Sequence, residues 1–306
     1  MKIKVTIDLF SGRSNPTLEL EGQEAEQVLG QVQTSSAFSA LTDEDTPEPS
    51  SLGFRGILIE QTDEGTADLP TIFRVTPDRI YSSDSSAPAR DTDFEKIVFD
   101  RLAKFPVPGD KKAFEQLLRD QVKQFRRDRE RISNGRPIPI IIPPIRIVNL
   151  CQCAPASDIA WWNDGGVRQS GNNCYNYATN YRTNTFAQPG KAASLQYTSL
   201  SGCAAGPGQR SARDGAIADS LIDTPNANNK CPVTGHLVAL VIWPGVDYHW
   251  YRKGPSGRWS HKPGSTAATL IDNSGNPITD PRTANRGNYT QFCTFMQVIH
   301  GHIMIK

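Results

Sequence analysis

The chain has 306 residues, room for two domains with a core each, and it carries 33 basic against 32 acidic residues. So even a balance excludes the strongly basic surface of a general nucleic-acid binder, and no nucleic-acid partner is expected. The apolar runs fall short of the roughly eighteen residues of a membrane span, so no span is expected either.

Charge is unevenly distributed. Residues 1–145 hold 24 Asp and Glu against 19 Lys and Arg, a balance of about −5, whereas residues 146–306 hold 8 against 14, about +6. All six Cys and all five Trp follow residue 150, and no Glu follows Glu130. Two modules are therefore expected: an α+β accessory, docking or delivery domain over 1–126, and a second α+β domain over 148–306. Between them the prolines of RPIPIIIPPIRI forbid helix and mark a Pro/Ile-rich linker over 127–147.

MKIKVTIDLFSGRSNP alternates apolar and polar residues, which predicts a hairpin with arms at 2–9 and 16–20. Ser11, Arg13 and Asn15 between the arms read as turn residues. This start lacks the apolar core of a secretory signal, so a cytoplasmic location or export without such a signal is expected. GQEAEQVLGQVQT has helical spacing, 34–52 is a polar loop, and GFRGILIE and PTIFRV read as strands. DTDFEKIVFDRLAKF and DKKAFEQLLRDQVKQF read as amphipathic helices, the first capped by Asp91 or Thr92. In the second module a helix is expected from Cys174 to about Arg182, then a long Gly, Ala and Asn loop region. HLVALVIW has the continuous apolar character of a buried strand, and VDYHWYRK and RWSHK form a hairpin around GPSG.

The run GNNCYNYATNYRTN places Cys174 on the first turn of a helix, where the helix dipole favours a thiolate and lowers the thiol pKa. A nucleophilic thiol needs a base. With a loop of three or five residues around GPS, His249 and His261 stand directly opposite on one face of the hairpin, one imidazole orienting the other. The remaining cysteines, Cys151, Cys153, Cys203, Cys231 and Cys293, leave room for two disulfides. They lack the paired spacing of a zinc site, so neither metal nor cofactor is expected. Cys174 is also open to a plainer role as a buried small side chain or half of a disulfide.

A helix-borne Cys, a His opening a strand and a second His twelve residues on resemble the NlpC-type branch of the papain-like cysteine hydrolases. The resemblance implies a papain-like helix and antiparallel sheet, with Cys174 as nucleophile, His249 as base and His261 as its orienter. A competing papain-like order uses His236 as base with Asp272 or Asn273 as orienter, and a Cys, His, Asp order ending at Asp272 resembles transglutaminase-like enzymes. The oxyanion site would draw on the Cys174 backbone with Gln169, Asn172 or Asn173, and Tyr251 and Trp259 would line the substrate cleft. The implied function is hydrolysis of an amide in a peptide, protein or peptidoglycan stem peptide through a thioester. The alternative is a non-catalytic adhesion or interaction protein on the same scaffold, or an acyltransferase.

Overall fold

The computed structural model describes residues 1–32, 38–40, 51–62, 69–82, 85–89, 91–133 and 151–306. Two units emerge, one of Met1–Leu9, Asn15–Pro49 and Phe54–Pro137, the other of Phe10–Ser14, Ser50–Gly53 and Ile138–Lys306. Both mix helices with an antiparallel sheet, so the chain is α+β. Among the described residues no helix is long and apolar enough to cross a membrane.

In the first unit, β1 (Lys2–Asp8), β2 (Thr17–Glu21), β3 (Ser39–Ala40), β4 (Gly56–Gln61), β5 (Ile72–Val75), β6 (Arg79–Tyr81) and β7 (Ser85–Pro88) form a sheet in the order β2-β1-β4-β5-β6-β7-β3. The alternation read in the sequence is the burial pattern of β1, whose Ile3, Val5 and Ile7 are buried. The helices are α1 (Gly22–Gln31), α2 (Asp91–Phe99) and α3 (Lys111–Ser133), with a short 3-10 turn at Leu102–Lys104. Phe54 meets Phe94 of α2 and Phe125 of α3 edge-on, at 5.7 Å each. The expected linker at 127–147 begins as the last turns of α3, and its residues 134–147 lie outside the described residues, as do the side chains of Asp91 and Thr92. Strands β6 and β7 are only three and four residues long, too short to show a periodic pattern in the sequence.

Asp8, at the end of β1, is fully buried and its two oxygens accept from Arg55 Nη2 and Arg74 Nη1 at 2.5 Å each. Such an arrangement is sensitive to removal of one partner, because the other charges stay behind in a low-dielectric interior. Asp8→Ala should therefore cost about 3–5 kcal/mol. Hydrogen exchange in β1, β4 and β5 measures this, and unchanged protection of those amides would refute the network's importance.

The second unit holds α4 (Ile159–Trp162), α5 (Val167–Ser170), α6 (Cys174–Thr179), α7 (Ala212–Ala218) and the strands β8 (Ile222–Asp223), β9 (His236–Trp243), β10 (Asp247–Lys253), β11 (Trp259–His261) and β12 (Gln291–Val298). Sheet order is β11-β10-β9-β12-β8, with β9 buried at every position, as its unbroken apolar run requires. Helix α6 lies against β10, and Tyr175 packs on Trp250 with ring centres 5.4 Å apart. The helix stops at Thr179, short of the expected Arg182, because Asn180 turns left-handed at φ 61°. In the expected loop region α7 opens on a capping box of Ser211 and Asp214 that was legible as Ser-x-x-Asp. Disulfides join Cys151 to Cys231 and Cys203 to Cys293, which leaves Cys153 exposed and Cys174 buried as thiols.

Candidate functional site

Cys174 begins α6 as expected, and the helix start is closed by Asn173, whose Oδ1 accepts from the backbone of Tyr175 and Asn176 at 3.0 and 3.1 Å. His249 and His261 share a face of the β10–β11 hairpin, but they are not direct partners. The turn spans Gly254 to Arg258, so Tyr251 pairs with His261 and Lys253 with Trp259, placing His249 diagonally to His261. Diagonal neighbours remain within reach of rings, and His249 Nε2 lies 2.9 Å from His261 Nδ1.

The role of Ser11 gives no signal in the sequence. Read as a turn residue, it lies fully buried in the second unit, with its Oγ 2.5 Å from His249 Nδ1. The Ser11 hydroxyl and the Trp250 backbone also reach the Cys174 sulfur. At the far end, His261 Nε2 lies 2.9 Å from the carbonyl of Ile271. A carbonyl only accepts, so His261 carries its proton on Nε2; with neutral rings, His249 then donates from Nε2 to His261, and Ser11 donates to His249 Nδ1. The outcome is a directed chain from Ser11 through both imidazoles to the Ile271 carbonyl, with Cys174 beside its first member.

The neighbouring residues are gripped as tightly. The Gly12 carbonyl accepts from Asn173 Nδ2 at 2.7 Å, Gln188 Nε2 at 2.9 Å and the Tyr248 hydroxyl at 3.0 Å. Asp247 accepts from the backbone of Ser11 at 2.6 Å, Gly12 at 3.2 Å and Arg13 at 2.9 Å, and from the Tyr289 hydroxyl at 2.6 Å. Asn173 is thus a cap and a clamp on Gly12, where an oxyanion donor was expected. Gln169, the other expected donor, accepts from the Gly165 backbone at 3.3 Å, and Asn172 accepts from Thr183 and Asn184.

Electrostatics reverse the expected thiolate. Burial, then the Asp247 carboxylate, raise the Cys174 pKa well above the ordinary thiol range, outweighing the Trp250 backbone, the Ser11 hydroxyl and Lys262. Tyr251 and Trp259, expected on a substrate cleft, are both fully buried. Tyr251 stacks on His261, and Trp259 stacks on Phe295.

The competing base is placed elsewhere. His236 donates from Nε2 to the Ala178 carbonyl at 2.7 Å and pairs with His300 at 3.3 Å, while burial pushes its pKa down to about 3. The Asp272 carboxylate accepts from the backbone of Ser274, Asn276 and Asn285, and Asn273 bonds both backbone groups of Leu52. These are turn and loop anchors. Cys151, Cys203 and Cys231 are committed to disulfides.

The chain is similar to the insoluble matrix shell protein 1 of Ruditapes philippinarum, at 47% identity over 139 residues, 45% of this chain and 85% of the relative. No family model matches the chain, and no solved structure matches it. The relative is a matrix protein, which overturns the expected enzyme: neither cysteine peptidase, amidase nor acyltransferase stands. The sealed, protonated thiol is the physical counterpart of that correction.

Two outcomes follow from the sealing. A thiol alkylator at neutral pH should modify Cys153 in the native protein and reach Cys174 only on unfolding; peptide mapping showing equal rates at both would refute it. Gly12→Ala should destabilise by about 1–3 kcal/mol through overpacking, because its Cβ would sit 2.4 Å from the Tyr248 ring and 2.5 Å from the Tyr248 carbonyl. Urea unfolding checks the loss, and an unchanged midpoint would show that the approach relaxes freely.

Proposed function

The chain belongs to the family of the insoluble matrix shell protein 1, and on that premise we propose that it is a non-catalytic structural protein of an insoluble extracellular matrix. The observation that carries the reading is the 47% identity extending over 85% of that relative. The two disulfides add support, since such bonds persist in oxidising, extracellular surroundings and are rare where thiols are kept reduced. A second support is the burial of Cys174, His249 and His261, which spends their hydrogen-bonding capacity on one another and on Ser11.

On this reading the helix-borne cysteine and the two histidines are an interior polar scaffold that serves cohesion. Its partners are other matrix proteins, met through the outer surface. Antibodies against the chain should find it in the insoluble residue of its source's shell-type matrix after mineral is dissolved. Recovery in the soluble fraction alone would overturn the assignment, as would amide hydrolysis by the pure chain that disappears in Cys174→Ala.

A further inference from the structure

Lys253 ends β10 with 4% exposure, and among the described residues no carboxylate lies within ion-pair distance of its ammonium group. It faces an amide. Its Nζ donates to Asn229 Oδ1 at 2.8 Å and also to the backbone carbonyl of Asn229. Trp259 Nε1 donates to the same Oδ1 at 2.9 Å, and Asn229 Nδ2 donates to the Thr279 carbonyl at 3.1 Å and to Asp280 Oδ2 at 3.3 Å. Trp259 is fully buried and stacked on Phe295, and its ring centre stands 5.7 Å from Lys253 Nζ. Asn229 is held in the left-handed backbone region at φ 60°.

We propose that Asn229 and Lys253 react with one another to form an isopeptide bond, an internal covalent cross-link between the loop after β8 and the end of β10. Nζ, neutral after losing a proton to solvent, attacks Asn229 Cγ. The charge that develops on Oδ1 is held by the Trp259 indole N–H, as in an oxyanion site. The Nζ–Cγ bond forms and the Cγ–Nδ2 bond breaks, Nζ giving one proton to solvent while the departing nitrogen, hydrogen-bonded to Asp280 Oδ2, takes one from solvent. A lysine amine and a carboxamide become a secondary amide and free ammonia, with no oxidant, reductant or cofactor.

The electrostatics suit each role. Burial lowers the Lys253 pKa against the opposing pull of Asp280, which brings the neutral amine within reach. Burial alone would raise the Asp280 pKa, but hydrogen bonds and charge from Arg282, with help from Lys253, bring it below the usual carboxylate value, so it stays ionised beside the leaving nitrogen. A hydrogen-bonded lysine needs only an acceptor. Here the carbonyl is also polarised by an indole N–H, and a carboxylate stands at the leaving nitrogen. The cross-link stands apart from the matrix assignment, since a protein of any function could carry it.

Intact-mass measurement on the full chain, reduced, alkylated and denatured, decides the matter. The mass should be lower than that of the fully alkylated sequence by one ammonia, and digestion should yield a branched peptide joining Asn229 to Lys253. Lys253→Arg and Asn229→Ala should each restore the sequence mass. Asp280→Ala and Trp259→Phe, which keep both reacting groups, should leave less than a tenth of the chains linked under conditions that link the wild type fully. A wild-type chain at its full sequence mass overturns the proposal, whether or not any variant folds. So does an ammonia loss that persists in Lys253→Arg, which would mark a cyclised asparagine elsewhere.

Discussion

The second unit depends on one buried carboxylate. Asp247 lies wholly out of water, and burial raises its pKa, so its charge is tolerable only if donors surround it. Three of its four donors are consecutive backbone amides, from Ser11, Gly12 and Arg13, and the fourth is the Tyr289 hydroxyl. Satisfying Asp247 therefore fixes the path of residues 11–13. That path sets Ser11 between Cys174 and His249, and it delivers the Gly12 carbonyl to Asn173, Gln188 and Tyr248. A side chain at position 12 would strike Tyr248, so only glycine lets the segment lie this close.

Much of the fold was legible because its signals are local. Continuous apolar character identified β9, alternation identified β1, and GNN before Cys174 marked the start of α6. The shared face of His249 and His261 followed from strand periodicity, whereas the register did not, because it rests on where the turn begins, and Gly257 in the left-handed region at φ 76° places that at Gly254. Ser11 was illegible for a different reason. Its bond to His249 joins residues 238 apart in sequence, and SGRSNP satisfies every requirement of a turn, so nothing nearby hints at a second role.

The buried cations of the second unit are matched by carbonyls, whereas the Trp250 indole N–H and the Tyr251 hydroxyl are buried with no hydrogen-bond partner among the described residues. Lys262 donates to the carbonyls of Gln169, Asn172 and Gly264, and Arg252 donates to those of Ala156, Ser157 and Tyr177. Two disulfides span 80 and 90 residues of chain over the same region. Closing loops of that length removes much of the freedom of the unfolded chain. A core held by matched polar networks tolerates little rearrangement, because each broken bond leaves a buried group with no water to replace its partner.

The expectation of a reactive thiol failed on magnitude. A helix terminus offers a nearby anion typically about 0.3–1 kcal/mol, rising to about 2 in favourable geometry. Full burial shifts an ionisable group by as much as about 3–5 pKa units, each about 1.4 kcal/mol, so desolvation outweighs the dipole by several-fold. Helix α6 has six residues and its first N–H groups are already spent on Asn173, which weakens the dipole's claim further. Asp247 then adds negative potential beside the sulfur. Cysteine on a helix and histidine on a strand are compatible with either a nucleophile or a structural cluster; access of water to the sulfur separates them, and here Cys174 is fully buried.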